Sequence, residues 1–396
     1  MKIAHVTDFY LPRLGGIEIH IAGLAAHQRL AGHDVDVISV GGLVESTDRG
    51  RPERDRGTAT LDSFHPRAIR SATSTVLDGD YDAVHVHAGL ATPLAFRTAR
   101  VASRAGLPTV VTMHSMIGRL APLYRVANDV TSWNAWPVAW TAVSDMAASP
   151  LRHLLGGERC VTVLPNAVDT DAWANDPVRH ADGHVRIVAV TRLAPRKRPM
   201  ELLRILRRVR QATPDQTELS ATIIGEGAEH SSMERYLARH DMSSWVSLPG
   251  RLTHAEIRGA FRHTDIFVAP AIQESFGIAA LEARAAGLPV VAMERAGISE
   301  FIDHGRDGFL AADDTAMVSA LNLLVTNPSI RATITAHNAR VPAPFGWQET
   351  LARTALAYDR AATLQHLGVH DRRPQPIMSV SRLPVVAATV YEDVSV

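Results

Sequence analysis

Short apolar runs, each closed by a glycine, a proline or a polar cluster, alternate along this chain with longer stretches whose apolar positions recur at helical spacing. The first run, KIAHVTDF, passes through the loop LPRLGG into a stretch with Ile17, Ile21, Leu24 and Ala25 on one face. Strand, glycine loop and helix in that order open a βαβ unit. A second strand is predicted over Asp34–Val40, followed by an exposed polar loop from about Glu45 to Arg56. YDAVHVHAG, PTVVTMHS, WPVAWTAVS and CVTVLPNAVD supply further strands, with a helix over Pro93–Ala105. Runs this apolar, separated by helices, predict a parallel sheet covered on both faces.

The polar stretch TDAWANDPVRHADG has the composition of a linker, and a second series of the same kind begins at VRIVAVTRL. A basic helix over Met200–Arg210, the strands ELSATIIG, WVSLPG, DIFVAP and LPVVAM, and the helix FGIAALEARAAG continue it. The pattern then stays helical through Ala316–Leu324 and FGWQETLARTALAYDRAA. The expected architecture is two doubly wound α/β domains facing across a cleft, over residues 1–168 and 185–345 with a linker over 169–184. A terminal helix over 346–371 is expected to cross back to the first domain, and 372–396 reads as a loose tail in which VVAATV has edge-strand character.

With 396 residues the chain has room for two cores. Its 41 basic residues balance 41 acidic ones, so no overall field favours nucleic acid or an anionic membrane, and any anion site must be local. The single cysteine, Cys160, precedes a strand and reads as a small buried hydrophobe. No secretory signal precedes the first strand and no window approaches the ~20 apolar residues of a membrane span. The expected location is the cytoplasm, with peripheral contact at the inner membrane face left open.

Charge is concentrated where parallel strands end. Arg192, Arg196, Lys197 and Arg198 follow VRIVAVT, a density suited to neutralising a diphosphate, with Arg192 and Lys197 the preferred contacts and Arg198 read as the start of a basic helix. Glu274 follows DIFVAPAIQ and Glu282 lies in the helix behind it, where a buried carboxylate needs a donor such as a ribose hydroxyl or a salt-bridge partner. A carboxylate pair also suits a glycoside hydrolase, but FGIAAL brings small backbone to the helix start, which fits sugar or phosphate oxygens. Gly15 and Gly16 let the first loop approach a phosphate, although G-x-G-x-x-G and the P-loop are both absent. Asp8 and His114 each follow a strand at the ligand edge. VHVH sets His85 and His87 on one face, yet no third ligand at zinc-binding spacing accompanies them, so no metal is expected and His114 is the preferred polar histidine beside substrate. Asp34 and Asp36, at the opposite strand end, are expected to face solvent.

PRLGGIE, TRLAPRK and PAIQESFGIAALEARAAGLPVVA, with the closing FGWQETL, resemble glycosyltransferase family four, the retaining, nucleotide-sugar-dependent enzymes of GT-B fold, over about residues 1–365. The resemblance implies an amino-terminal acceptor domain and a carboxyl-terminal donor domain. It places Glu274 on hydroxyls of the transferred sugar, Glu282 on ribose, Arg192 and Lys197 with Arg196 on the diphosphate, Gly16 near the phosphates and His114 near the reaction centre. Backbone at Phe276, Gly277 and Ile278 would line the sugar-diphosphate pocket, and Arg251 would frame the base. The family carries glycine before this arginine and after this lysine, where Thr191 and Arg198 stand.

No cofactor is expected beyond a UDP- or GDP-sugar co-substrate. Asp8 and Met116 are the acceptor-side candidates, and Leu11, Leu14, Met116, Ile117 and Leu120 suit a lipid-linked acceptor as well as ordinary packing. A nucleotide-sugar epimerase and a catalytically silent binding protein are the alternatives. Donor base, acceptor and oligomeric state stay open.

Overall fold

A computed structural model describes residues 1–11, 15–40, 42–47, 65–157, 161–174 and 183–367. Leu14, Cys160, most of the polar loop and of the linker, and the tail lie outside the described residues. The chain divides into two compact units, Met1–Ala167 with the helix Trp347–Leu367, and Val168–Gly346.

In the first unit β1 (Lys2–Thr7), β2 (Asp34–Ser39), β3 (Gly42–Glu45), β4 (Ala83–Ala88), β5 (Thr109–Met113), β6 (Val138–Ala142) and β7 (Val161–Val163) form one sheet in the order β3-β2-β1-β4-β5-β6-β7. All neighbours are parallel except β2 and β3. Helices α1 (Gly16–Leu30), α2 (Pro66–Asp78), α3 (Pro93–Arg104), α4 (Ala121–Thr131) and α5 (Asp145–Leu155) make the connections. Every residue of β4, β5 and β6 is buried, as the unbroken apolar runs predict for strands covered on both faces.

The second unit starts with α6 (Thr170–Trp173), capped by the Asp169 side chain. This corrects the linker reading at its first residues: Trp173 is buried, with its ring 5.5 Å from Phe261. The sheet follows as β8 (Val185–Val190), β9 (Leu219–Ile224), β10 (Val246–Gly250), β11 (Ile266–Ala269), β12 (Val290–Met293) and β13 (Gly308–Ala311), all parallel, in the order β10-β9-β8-β11-β12-β13. Its helices are α7 (Pro199–Ala212), α8 (His230–Arg239), α9 (His254–Arg262), α10 (Ile278–Ala285), α11 (Asp314–Thr326) and α12 (Pro328–Arg340).

The last helix, α13 (Trp347–Leu367), belongs to the first unit. Gln365 fixes its far end, donating from Nε2 to the carbonyls of Ser103, Leu107 and Pro137 at 3.0–3.2 Å. Among the described residues no helix is long and apolar enough to cross a membrane.

Two surface expectations are corrected. Asp36 is buried and accepts a 2.7 Å hydrogen bond from the Tyr81 hydroxyl, because Tyr81, just ahead of β4, covers it. Glu45 ends β3 instead of opening a loop, and its carboxylate takes Tyr10 and Arg29.

Candidate active site

In a doubly wound sheet, ligands collect where the strand order reverses, since the loops there leave in opposite directions. In the second unit that point lies between β8 and β11. The loop after β8 carries Arg192, Arg196 and Lys197, and the loop after β11 carries Glu274. Strand order therefore joins residues far apart in sequence, and Lys197 Nζ forms an ion pair with Glu274. Arg192 and Arg196 are exposed on the same loop.

Close backbone packing holds the β8 loop in place. Leu193 N donates to the Glu226 carbonyl at 2.8 Å, and Glu229 N donates to the Leu193 carbonyl at 2.9 Å. A side chain on Gly225 or Gly227 would collide with the Thr191 or Leu193 carbonyl, at 1.9 and 2.4 Å. These glycines, in the run GEG after β9, are the support of the charged loop, a role that the sequence did not signal. Arg198 is not merely the start of a basic helix. It occupies the left-handed region at φ 58°, the conformation for which glycine is favoured. Its guanidinium grips both Asp314 oxygens at 2.8 and 2.9 Å and the Pro270 carbonyl at 3.0 Å. Arg198 thus ties α7 to α11 and to the end of β11.

Glu274 is held by its backbone, whose carbonyl accepts a 2.7 Å bond from Gly297 N. The buried Phe276 ring packs against Phe301 and Phe345, with centroids 5.4 and 5.8 Å away. Gly277 then caps α10 at φ 94°, where a Cβ would meet Ile298 at 2.4 Å. With no side chain at the cap, the first N–H groups of α10, from Ile278 onward, form an anion-favouring helix start next to the Lys197–Glu274 pair. Glu282, buried on α10, faces His254 Nε2 at 3.6 Å, a partner with no signal in the sequence. Arg251 pairs at 2.9 Å with Glu226 on the surface, where both side chains are about half exposed.

In the first unit the strand order reverses between β1 and β4. Asp8 spans this point, its two oxygens accepting from Leu94 N at 3.0 Å and Ala95 N at 2.9 Å at the start of α3. Asp8 thus caps α3, and burial pushes its pKa up to about 7 against those two N–H groups. Gly15 caps α1 without a side-chain bond, but Glu18 folds toward it, so a carboxylate already stands at that helix start. Met116 is half-buried after β5.

His114 lies at the end of β5 inside a buried set of imidazoles. His87 Nδ1 is 3.0 Å from His114 Nε2, and His5 Nδ1 is 2.9 Å from His87 Nε2. The third histidine missing from the VHVH reading is His5, which the β1–β4 register sets opposite His85. His5, His85 and His87 offer nitrogens within 4.8 Å of one another. Each of those nitrogens is already hydrogen-bonded, to another imidazole, to Gln28, to Tyr358 or to Thr112. The cluster is chemically a hydrogen-bond relay, and a metal there would have to displace those bonds. Burial lowers every pKa in it, to about 4 for His5 and about 3 for His114, with His20, His85 and His87 held well below the usual range.

Both units have counterparts among known proteins. Residues 14–172 match the family described as Glycosyltransferase Family 4, and residues 184–327 match Glycosyl transferases group 1. The phosphatidyl-myo-inositol mannosyltransferase of Mycobacterium leprae is 27% identical over 380 residues, covering 92% of this chain and 98% of that protein. A glycosyltransferase from Rickettsia africae superposes with a TM-score of 0.68 at 17% identity, covering 91% of this chain and 98% of that one. Anabaena Alr3699/HepE, solved with UDP and glucose, gives 0.63 at 19%, covering 93% and 98%. With one family description on each unit and both sheets in this strand order, the chain belongs to glycosyltransferase family four and has the GT-B fold.

Proposed function

We propose that this glycosyltransferase moves a hexosyl group from a UDP- or GDP-sugar to an acceptor hydroxyl with retention at the anomeric carbon. The observation that carries the reading is the convergence, at the β8–β11 reversal, of the Arg192–Lys197 loop, Glu274 and the Gly277-capped start of α10. Arg192, Arg196 and Lys197 neutralise the diphosphate, the α10 N–H groups take its oxygens, and Glu274 takes hydroxyls of the transferred sugar. Glu282 holds ribose. In this reading His114 is assigned to the transferred sugar. Those cations serve the leaving diphosphate without a metal ion. No side chain is assigned as a covalent nucleophile, so the departing phosphate oxygen receives the acceptor proton on the same face.

Calorimetry with UDP, GDP and their hexosyl derivatives, in metal-free buffer, tests the reading, and binding of none of them would sink it. Glu282→Ala is expected to weaken nucleoside diphosphate binding about 10- to 100-fold, the worth of a charged hydrogen bond pair. Unchanged affinity in the folded variant would remove Glu282 from the ribose.

A lipid-linked acceptor, with peripheral membrane contact, is favoured over a small soluble one by α4. Leu123, Val126 and Val130 form one face of this helix and are 63%, 60% and 79% exposed, and the mycobacterial relative is named for a lipid acceptor. Sedimentation with anionic phospholipid vesicles is expected to carry down wild-type protein, and Leu123→Ser with Val126→Ser to stay in solution. Equal sedimentation of both would return the acceptor to the soluble class.

A further inference from the structure

The imidazole relay has a direction, and one amide sets it. A neutral imidazole bonded through both nitrogens donates from one and accepts at the other, so fixing one tautomer fixes its neighbours. The chain of contacts begins at the Val111 carbonyl, which only accepts. The Thr141 hydroxyl donates to it at 3.3 Å, and Thr112 lies 2.6 Å from Thr141. His85 Nε2 is 2.7 Å from Thr112, so it is the donor, and His85 Nδ1 accepts from the Tyr358 hydroxyl at 3.2 Å. Tyr358 in turn accepts from Gln28 Nε2 at 2.9 Å. The other end of the same amide, Gln28 Oε1, is 2.6 Å from His5 Nε2 and only accepts. His5 is therefore protonated on Nε2 and accepts at Nδ1 from His87 Nε2. His87 then accepts at Nδ1 from His114 Nε2.

The opposite direction leaves the contact between Thr141 and the Val111 carbonyl without a proton. It also requires the Gln28 amide to turn over. Hydroxyls reverse by rotation and imidazoles by moving a proton, but a carboxamide keeps its donor and acceptor on different atoms. Gln28, fully enclosed between β1 and α13, is thus the one member whose orientation polarises both arms.

We infer that Gln28 is a positioning residue that locks His114 in the Nε2–H tautomer, so that His114 presents Nδ1 as an acceptor and recognises a hydroxyl rather than a phosphate oxygen. The catalytic consequence rests on the reading above that His114 meets the transferred sugar, whereas the tautomer does not. A histidine fixed this way accepts a proton-bearing group of the sugar and has no hydrogen for the leaving diphosphate, which is left to the cations of the second unit.

Long-range 1H–15N correlation on ring-15N-histidine protein reads the tautomer directly. The full-length wild type is expected to show His114 as Nε2–H alone. Gln28→Leu removes the acceptor facing His5 and is expected to give a mixture of His114 tautomers, with kcat reduced roughly 2- to 10-fold and nucleoside diphosphate affinity unchanged. Gln28→Glu keeps an acceptor toward His5 and is expected to restore the Nε2–H form and most of kcat. Wild-type His114 protonated on Nδ1, or a pure Nε2–H signal in Gln28→Leu, would overturn the relay. A mixed tautomer with kcat unchanged would support the relay and overturn the assignment of His114 to the sugar. Should Gln28→Leu fail to fold, the wild-type spectrum alone decides the direction.

Discussion

Acidification from pH 7.5 to about pH 5 is expected to lower the stability of the first unit by several kcal/mol, enough to bring its unfolding close to ambient temperature. Five imidazoles in this unit, His5, His20, His85, His87 and His114, are enclosed in the neutral form. In the unfolded chain each takes a proton below about pH 6.5, whereas the native state refuses it until about pH 4 at His5 and about pH 3 at His114. Depressed histidines contribute stability that is complete above the unfolded value and is lost as pH falls. The slope approaches about 1.4 kcal/mol per pH unit for each of them, or about 2 kcal/mol each by pH 5. Asp8 acts in the opposite sense. Its raised pKa of about 7 favours the native state at low pH, an advantage lost as pH rises through 7, so it offsets one histidine of the five. Thermal melts at the two pH values check the balance, with the first-unit transition identified by hydrogen exchange at β4 and β5. An unmoved transition would mean that these imidazoles are charged in the folded protein.

The strands, their division into two series and the charged loops were legible because they are local patterns. Lys197 and Glu274 stand out by their chemistry at strand ends, which any parallel α/β sheet turns into a ligand edge, and Glu282 stands out as a carboxylate inside a largely apolar helix. Their partners were not legible. Lys197 meets Glu274 only because β8 lies beside β11, and Glu282 meets His254 across a helix packing that no spacing encodes. Arg198 shows the limit clearly. Its neighbours suggest a basic helix, while its positive φ and its grip on Asp314 come from loops brought together by tertiary structure. His85 and His87 announced a shared face, but His5, Gln28 and Tyr358 come from three other parts of the chain, and their polarity exists only once β1, α1 and α13 are packed. The partners of Asp8 and Asp36 were hidden for the same reason. Each finds its donors on an element remote in sequence, the start of α3 and Tyr81.

Glu274→Ala is expected to separate catalysis from nucleotide binding more sharply than any other change in this protein. In the structure the Glu274 carboxylate and Lys197 neutralise one another, with 18% and 14% of their side chains exposed. When a nucleotide sugar arrives, the diphosphate competes for Lys197 and the sugar hydroxyls compete for Glu274, so the pair must open for both roles to be filled. Removing the carboxylate abolishes the sugar contact and simultaneously releases Lys197 to the diphosphate. Turnover should fall roughly 10- to 100-fold, the loss of a charged hydrogen bond tightened in the transition state, while nucleoside diphosphate binds as well as before or up to about 10-fold more tightly. Lys197→Ala should do the reverse at the nucleotide, weakening diphosphate binding while leaving Glu274 partly buried without its cation, and should therefore also lower the melting temperature of the second unit. Measuring kcat and nucleoside diphosphate Kd for both variants distinguishes the roles. Parallel losses in kcat and affinity for Glu274→Ala would show that its carboxylate supports the binding loop as a whole and does not select the sugar.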